Sequence, residues 1–472
     1  MAMKKVYPDG LPTPQRFWSM LAIGLGIAMS VLDSSIANVA LPAIASELSA
    51  TPAASVWVVN AYQLAILTLL LPLAALGERI GYRRVYLAGL AIFTVGSLGC
   101  ALSGSLQTLV TWRVIQGFGA TGIMSMNGAL VRYTYPHRML GRGVGLNALV
   151  VSIAAATGPT IASGILAIAS WEWLFAVNVP IAIFNLIVAT HSLPYSNLSP
   201  QPFNWMSAVL NALMFGLFFI GLDSLAHGGA SALLAAAEIA LAAIAGVALA
   251  LRESRTFSRV IPVDLLRIPV FTLSVVASVC AYAAYMAAFV ALPFYFEIAL
   301  HRDQVQTGLL MTPWPVALGL VAPLAGRLSD RVPAAILGTA GLALLTVGLA
   351  LLAILPADAT AFDIGWRMAV CGLGFGFFQA PNNRTLLSAG SRERAGAAGG
   401  MLAAARLAGM TAGASLAAFA FRAAPQHAEP VSLFAGAALA VLAAAASLAR
   451  LPKQREGIKA ASRSSPDISS RV

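Results

Sequence analysis

Residues 77–84 read Gly77-Glu78-Arg79-Ile80-Gly81-Tyr82-Arg83-Arg84, a short charged turn between two apolar blocks at 54–76 and 85–104. Each block has about the 20 residues that a helix needs to cross the hydrocarbon layer of a bilayer. Glycine permits tight turns, and Arg side chains favour the cytoplasmic ends of membrane helices. The stretch therefore predicts a hairpin of two membrane-spanning helices that closes on the cytoplasmic side.

The composition of the whole chain is that of a membrane protein. Of 472 residues, 59% are hydrophobic and only 10% are charged, and the mean hydropathy is +0.82. A soluble domain usually carries about 25% charged residues. The 41 glycines and 25 prolines are scattered through the apolar blocks, and membrane bundles tolerate them because small residues allow close helix packing. We therefore predict an all-α polytopic membrane protein.

Fourteen apolar blocks are long enough to span a bilayer. They cover 17–41, 54–76, 85–104, 108–130, 143–168, 171–190, 204–224, 230–251, 270–297, 307–326, 333–355, 363–383, 395–421 and 430–449. With a cytoplasmic N-terminus, only Arg302 and Arg422 of the 29 Lys and Arg lie outside, and only Arg113, Arg367 and Arg406 lie within spans. This distribution follows the positive-inside rule, which places both termini in the cytoplasm. The net charge of +11 is then a topology signal and argues against a nucleic-acid partner.

The charged turn occurs twice. After the tenth span the chain reads Gly326-Arg327-Leu328-Ser329-Asp330-Arg331, again a short cytoplasmic turn in which an acid precedes Arg. Two halves with the same device predict a duplicated bundle with its site between the halves. The predicted parts are a cytoplasmic arm (1–16), a six-helix bundle (17–190), two inserted central helices with flanking loops (191–269), a second six-helix bundle (270–449) and a basic cytoplasmic tail (450–472).

Several motifs, in order along the chain, resemble those of the major facilitator superfamily. The turn from Glu78 to Arg84 resembles its cytoplasmic signature, with Glu78 where Asp is usual, and Gly158-Pro159 resembles the antiporter motif of its exporters. Arg113–Ala120 resembles the fourth-helix motif of the superfamily. The stretches that resemble motifs of its fourteen-helix drug:proton antiporters are Leu32–Pro42, Ser170–Pro180, Pro381–Asn383 and Arg406–Gly409.

The resemblance implies a secondary active exporter that works by alternating access. It would exchange protons for lipophilic or cationic drugs, or for other toxic small molecules. Two alternatives stay open: an exporter or importer of one specific metabolite, and a membrane sensor that does not transport. The expected partners are a small-molecule substrate, protons and the lipid bilayer, and the expected state is a monomer. The composition, rich in Ala, Leu and Arg, indicates a bacterial inner membrane.

Asp33 and Arg113 are the predicted proton-coupling pair. Ionisable residues within spans are functional candidates because burying a charge in a bilayer is costly. At 1.5 Å per residue, Asp33 lies roughly 12 Å from the outer end of span one, and Arg113 lies at a similar depth in span four. A movement that takes Asp33 away from Arg113 into apolar surroundings would favour proton binding. The alternative is a permanent ion pair that only locks two helices together.

Two helix faces predict a substrate cavity. In span four, Gln116 and Asn127 recur at helical spacing among small residues. In span nine, Tyr282, Tyr285 and Phe289 share one face, and aromatic rings hold cations with about 0.5–2 kcal/mol each. The same three rings also fit a packing seam, so both interpretations stay open.

Three further charges lie within or at the ends of spans. Glu297, at the outer end of span nine, either attracts cations to the cavity mouth or is a solvated acid at a helix end. Glu238 in span eight has no visible partner, so we expect it to be protonated and hydrogen-bonded. Arg406 lies deep in span thirteen, so it needs a carboxylate or carbonyl partner.

The charged turns and the Gly-Pro pair are the predicted gates. The resemblance implies that Glu78 contacts nearby Arg and a helix N-terminus of the other half when the carrier faces outward. An acid at a helix N-terminus stabilises by about 0.3–1 kcal/mol, a suitable strength for a reversible latch. A simple cytoplasmic anchor is the alternative. The candidate gating residues are Glu78, Arg79, Arg83, Arg84, Asp330, Arg331, Gly158 and Pro159.

Other classes of protein lack their signatures in this sequence. No Gly-x-x-x-x-Gly-Lys-Ser/Thr phosphate loop is present, which argues against an ATP-driven pump. The five histidines and three cysteines show no metal-ligand spacing, and no cluster of nucleophile and base indicates an enzyme, so we expect neither a metal nor a cofactor. A channel fits the duplicated halves less well than alternating access does.

Overall fold

The charged turn that opens the sequence argument is a tight helical hairpin. One helix ends at Ile80, the next begins at Tyr82, and Gly81 alone separates them. Gly81 has φ +102°, a region that glycine enters without the clash a Cβ would make. The sequence therefore places glycine where the chain reverses direction.

The structure is a computed structural model, and the regular secondary structure of the residues that it describes consists of helices. Those residues are 9–136, 139–196, 198, 203–225, 230–254, 263–329, 331–356, 358–388 and 395–451. The first nine helices are α1 (Thr13–Val39), α2 (Leu41–Glu47), α3 (Pro52–Ser55), α4 (Trp57–Ile80), α5 (Tyr82–Ala101), α6 (Leu106–Thr134), α7 (Leu140–Leu166), α8 (Glu172–Ala176) and α9 (Asn178–Ser192).

The central and C-terminal helices complete the fold. They are α10 (Trp205–Leu225), α11 (Ala230–Ser254), α12 (Val263–Leu266), α13 (Pro269–Phe294), α14 (Gln304–Met311), α15 (Pro313–Leu328), α16 (Ala334–Ala353), α17 (Ala361–Ser388), α18 (Ala395–Ala423) and α19 (Ala428–Leu448). A π-helical turn, Tyr295–Ala299, extends α13.

Twelve helical segments in the described residues are long and apolar enough to cross a membrane. The prediction of fourteen spans is not confirmed, because α6 and α17 do not meet this criterion of hydropathy. Both are long, at 29 and 28 residues. They carry polar and charged side chains such as Arg113, Gln116 and Arg367, which lower their hydropathy. Multi-pass membrane character stands without them.

The packing of the helices repeats along the chain. In the first half, α5 packs on α6, α4 packs on α6, and α1 lies between α7 and α9. In the second half, α16 packs on α17, α15 packs on α17, and α13 lies between α18 and α19. This repetition agrees with the duplication that the two charged turns indicate.

The inserted helices α10 and α11 pack against each other and join the rest through α10. That helix contacts α4 and α18, and the side-chain amide of Asn211 donates a 2.8 Å hydrogen bond to the carbonyl of Thr68. The contact places α10 beside both halves.

The two halves pack against each other at one end of the bundle, and α4 also approaches α18 farther along, where Leu71 faces Gly400. Following the predicted topology, we use "outer end" for the end that carries residues 40–57 and 300–313, and "inner end" for the end that carries 77–84. One apolar core at the outer end includes side chains of α1 and α4 together with side chains of α13, α15 and α18. Polar contacts between described residues of the two halves include Thr160 with Thr312 at 2.9 Å and Asn60 with Ser415 at 3.3 Å.

Gly308 lets α14 approach α7 closely at this outer end. A Cβ added to Gly308 would overlap the hydroxyl of Ser163 and would lie 2.6 Å from the carbonyl oxygen of Pro159. Contacts shorter than about 3 Å force a movement, and overpacking costs about 1–3 kcal/mol. Only glycine therefore allows the outer end to close as the structure shows it.

We predict that Gly308→Val loosens the outer end. The added side chain pushes α14 from α7, so amides of α14 should exchange hydrogen for deuterium faster, as followed by mass spectrometry. Gly164→Val is the matched control, because nothing lies within 4 Å of the added Cβ at Gly164. Equal exchange of α14 in the two variants would contradict this account of closure.

Candidate functional site

A buried ion pair joins α1 and α6. Arg113 is completely buried and Asp33 is 2% exposed, and Arg113 Nη1 donates to Asp33 Oδ2. The other carboxylate oxygen, Oδ1, accepts from Gln116 Nε2 at 2.7 Å and from Asn178 Nδ2 at 3.0 Å. The structure thus brings together the two residues that the sequence predicts to meet.

Neighbouring helices hold the guanidinium of Arg113 in place. Arg113 Nε donates to the carbonyl of Val58 at 2.8 Å, and Nη1 also donates to Gln116 Oε1 at 2.6 Å. The ring of Tyr62 covers the guanidinium, with 4.1 Å between Arg113 Cζ and the ring centroid. A charge buried in a membrane is tolerated when it is paired and hydrogen-bonded in this way.

Close packing of α5 on α6 supplies another partner. A Cβ on Gly96 would lie 2.6 Å from the Cα of Gln116, so glycine lets the two backbones approach. The next residue, Ser97, then accepts a 2.9 Å hydrogen bond from Gln116 Nε2. Gln116 is therefore oriented with its amide nitrogen toward Asp33 and its oxygen toward Arg113.

Every polar group that contacts the Asp33 carboxylate is a donor. Those groups are the guanidinium of Arg113 and the amide nitrogens of Gln116 and Asn178. A protonated carboxyl group needs an acceptor for its O–H, and in this arrangement the three groups turn only N–H donors toward Asp33. The observed arrangement fits the ionised acid, and protonation of Asp33 requires the site to rearrange.

A central cavity lies next to this ion pair, between the two halves. Its volume is about 330 Å³. The first half contributes mainly polar side chains of α1 and α4: Ser30, Ser34, Ser35, Asn38, Tyr62 and Gln63. Tyr62 belongs to both places, because its ring also covers Arg113 and its hydroxyl donates to the carbonyl of Ser30 at 3.1 Å. Asp33 is separated from the cavity by this layer of residues.

The second half contributes an aromatic wall to the cavity, which we define as Tyr282, Tyr285, Phe289, Trp314 and Phe375. Tyr285 stacks on Phe289 and on Phe375, with ring centroids 4.3 and 5.2 Å apart. Trp314 meets Tyr285 and Phe289 edge to face at 5.6 and 5.3 Å. All of these residues except Trp314 line the cavity, and Trp314 supports the rings from behind. The three rings predicted from span nine, Tyr282, Tyr285 and Phe289, therefore pack with other aromatic rings and also line the cavity.

Arg406 of α18 also lines the cavity. Its guanidinium carbon lies 5.6 Å from the ring centroid of Tyr282, and the hydroxyl of Tyr282 accepts a 2.6 Å hydrogen bond from Gln379. The predicted carboxylate or carbonyl partner of Arg406 is not found among the described residues. Its charge faces the cavity instead.

Other residues predicted for the cavity lie elsewhere. Gln116 is wholly buried in the ion-pair network, and neither Asn127 nor Glu297 lines the cavity. Glu297 lies on the π-helical turn that extends α13. Glu238 lies on α11 next to Gly221 of α10, and one of its oxygens has no hydrogen-bond partner in the described part of the chain. The expectation of a hydrogen-bonded Glu238 is therefore not met at that oxygen.

The predicted inner gate is spread over several contacts. Glu78 and Arg79 are exposed and form no ion pair with any described residue. Arg83 donates to the carbonyl of Thr190 and covers the ring of Tyr195, with 4.3 Å between Arg83 Cζ and the centroid. Arg84 donates to the carbonyl of Ile80 at 3.4 Å. Arg331 is exposed, and Asp330 lies outside the described residues.

The Gly158-Pro159 pair lies on the outer half of α7, between α1 and α14. A Cβ on Gly158 would lie 2.6 Å from the Cβ of Ser35 on α1. One residue on, the carbonyl of Pro159 faces Gly308 of α14 and accepts a 2.8 Å hydrogen bond from Ser163. This pair therefore transmits contact from α1 to the other half at the outer end.

Sequence reasoning missed two parts of the buried polar structure. Asn178 was visible only within a longer motif, and nothing in the local sequence points it at Asp33. Arg450, predicted to begin the cytoplasmic tail, is completely buried. It donates to Ser274 at 2.9 Å, to Asn382 and to Ser447, and burial lowers the pKa of its guanidinium to about 10. No pattern distinguishes it from the basic residues that follow.

The helical membrane fold, the buried ion pair and the cavity between two similar halves define a membrane carrier. The chain belongs to the Major Facilitator Superfamily, whose family model matches residues 23–414. The motif resemblance noted in the sequence is thus confirmed at the level of the superfamily.

Three relatives are similar over most of the chain. An uncharacterised transporter of Escherichia coli (strain K12), YebQ, is 50% identical over 96% of this chain and 99% of its own length. The riboflavin transporter RibZ of Clostridioides difficile (strain 630) is 32% identical, covering 82% of this chain and 84% of its own. The multidrug resistance protein Stp of Mycobacterium tuberculosis (strain CDC 1551 / Oshkosh) is 29% identical, covering 84% and 74%.

We predict that substitutions of Arg113 and of Asp33 differ in their effect on the stability of the protein. Arg113→Met leaves a buried acid without its counter-charge and should cost about 3–5 kcal/mol. Asp33→Asn should cost less, because the one Asn oxygen still accepts from part of this donor set and Arg113 keeps its hydrogen bonds to the carbonyl of Val58 and to Gln116 Oε1. The midpoint of thermal unfolding in detergent measures both changes.

Arg79→Met provides the control for these variants, since the same substitution there affects an exposed side chain. We expect it to leave the midpoint close to that of the unchanged protein. If Arg113→Met had as small an effect as Arg79→Met, the ion pair would not hold α1 and α6 together.

Proposed function

We propose that this protein is a secondary active exporter that exchanges protons for lipophilic aromatic small molecules by alternating access. It would work in a bacterial inner membrane as a monomer with both termini in the cytoplasm. The observation that carries the proposal is the Asp33 carboxylate, which faces only donors beside a cavity closed at its outer end. The motif resemblance to fourteen-helix drug:proton antiporters supports the direction of transport.

The proposed membrane topology has fourteen spans. We infer that α6 and α17 also cross the bilayer, because each packs centrally within its half. The polar residues of α6 turn toward α1, where Asp33 neutralises Arg113, so the usual cost of a charge in the membrane is largely offset. The bundles would be 17–190 and 270–449, with α10 and α11 inserted between them.

Proton coupling follows from the contacts of α1. With the outer end closed, Asp33 is ionised and paired. When the outer end opens, Asp33 takes a proton and leaves Arg113, because the protonated acid lacks an acceptor in the present site. Since Ser35 of α1 packs on Gly158 of α7, this movement of α1 would loosen the outer contact between α7 and α14. Release of the proton toward the cytoplasm restores the pair.

The inner gate would work in the opposite phase. Glu78 has no ion-pair partner among the described residues of this outer-closed structure, which is consistent with a latch that engages only in the outward-facing state. In that state the acid would cap a helix N-terminus of the other half, with Arg79, Arg83, Arg84, Asp330 and Arg331 as neighbouring charges.

The composition of the cavity narrows the substrate class. The expectation from the sequence includes lipophilic cations, but the lining residues carry a guanidinium and no carboxylate. The aromatic wall remains suited to flat apolar rings. We therefore propose aromatic substrates that are neutral or acidic, a class of solute compatible with the relative named as a multidrug resistance protein.

A second candidate is a carrier of one specific metabolite, in either direction. The relative named as a riboflavin transporter favours it. The two candidates differ in substrate range, so a panel of unrelated aromatic compounds separates them.

We predict that Asp33→Asn abolishes transport driven by a pH gradient. In proteoliposomes, the unchanged protein should move fluorescent aromatic compounds when a pH gradient is imposed, and the variant should not, because Asn cannot take up the proton. The panel contains a cation, a neutral compound and an acid.

Asp303→Asn is the matched control, because Asp303 caps α14 at the outer end and Asn caps helices equally well. It should transport normally. Equal transport by Asp33→Asn and the unchanged protein would rule out Asp33 as the proton carrier, while transport of a single compound would favour the specific-metabolite candidate.

A further inference from the structure

Arg406 is half-buried and lines the cavity, and it differs from the fully buried Arg113 and Arg450 in its lack of polar partners. Arg113 is paired with Asp33, and Arg450 is hydrogen-bonded to Ser274, Asn382 and Ser447. Arg406 has no ion pair or hydrogen bond with any described residue, and its guanidinium lies beside the ring of Tyr282. A guanidinium carries five N–H donors, so those of Arg406 are available to a ligand in the cavity.

The cavity offers Arg406 no counter-charge of its own. The described residues that line it include Ser, Asn, Gln and Tyr side chains but no Asp or Glu. Asp33, which lies next to the cavity, is engaged by Arg113, Gln116 and Asn178 behind the ring of Tyr62. The positive charge of Arg406 is therefore not neutralised within the cavity.

Arg406 also lies beside the aromatic wall. Tyr282 connects the two: its ring is 5.6 Å from the guanidinium carbon of Arg406, and its edge meets Phe375 at 5.1 Å. The amide nitrogen of Gln379 holds the hydroxyl of Tyr282 at 2.6 Å, which fixes the ring. A flat substrate ring that packs against Tyr285 and Phe289 would therefore lie next to the guanidinium of Arg406. The two parallel N–H groups of a guanidinium match the two oxygens of a carboxylate.

We propose that Arg406 recognises the acidic group of an aromatic substrate, and that the substrate class is therefore aromatic monoanions such as aryl carboxylates. The acid would accept two hydrogen bonds from the guanidinium while its ring packs on the aromatic wall. The inference rests on the proposed transport function, since it assigns the ligand of that same cavity. Arg406 is then a specificity-determining residue.

Equilibrium binding in lipid nanodiscs, without any gradient, tests this assignment. The probes are 2-naphthoate, 2-naphthylmethanol and 2-naphthylmethylammonium, which share one ring system and differ in charge. The unchanged protein should bind the acid about tenfold more tightly than the alcohol, the range of a charge-assisted hydrogen bond, and the ammonium most weakly. Arg406→Lys should keep this order.

Two variants make the test decisive: one removes the positive charge at position 406 and the other reverses it. Arg406→Gln should bind the acid and the alcohol equally, and Arg406→Glu should prefer the ammonium. Arg367→Gln, a change from Arg to Gln at a position outside the cavity lining, should keep the preference of the unchanged protein. Because Arg406→Gln removes the charge but keeps a polar side chain, it keeps the test readable if Arg406→Glu fails to fold.

The proposal would be overturned by any of three results. These are a folded Arg406→Gln variant that still prefers the acid, an unchanged protein that binds all three probes alike, and an unchanged protein that binds none of them. If the role of Arg406 were only structural, its substitution would weaken the binding of every probe to the same extent. Since no gradient is present, failure here leaves the Asp33 flux experiment unaffected, and loss of flux leaves the binding order intact.

Discussion

The buried ion pair between Asp33 and Arg113 is the interaction on which the arrangement of the first half depends. Two charges within a membrane bundle are tolerated when they are paired and supported by hydrogen bonds. Here Gln116 and Asn178 point at one carboxylate oxygen of Asp33, and the carbonyl of Val58 faces the guanidinium. Helices α1, α4, α6 and α9 are therefore held in a single relative orientation while Asp33 is ionised.

The same helix connects the ion pair to both the cavity and the outer closure. On α1, Asp33 faces Arg113, Ser34 lines the cavity, and Ser35 packs against Gly158 of α7. Helix α7 in turn meets Gly308 of α14 in the other half. A contiguous set of packed side chains is a physical route by which protonation and access can influence each other, and it makes Asp33 a site of coupling rather than a static lock in our proposal.

The sequence predicts how deep a residue lies in the membrane and which residues share a helix face. It does not predict which neighbouring helix or cavity that face contacts. Counting residues from the helix ends places Asp33 and Arg113 at one level, and periodicity puts Tyr282, Tyr285 and Phe289 on one face. Gln116 was assigned to the cavity because its face is polar, yet that face points at Asp33. The rotation of a helix is set by tertiary packing, such as Gly96 against Gln116, which one sequence does not reveal. The sequence likewise does not reveal which tertiary contacts surround an arginine. It therefore predicts a carboxylate or carbonyl partner for Arg406 and places Arg450 in the cytoplasmic tail.

Infrared difference spectroscopy on the carboxyl of Asp33 tests the coupling claim most directly. A disulfide between T160C and T312C, whose native hydroxyls are 2.9 Å apart, would hold the outer end closed, and Asp33→Asn would identify the band. The account predicts no protonated-carboxyl band while the disulfide is intact, and its appearance when the disulfide is reduced at low external pH. A protonated band in the locked protein, or none after reduction, would contradict the claim that Asp33 takes up its proton only when the outer end opens.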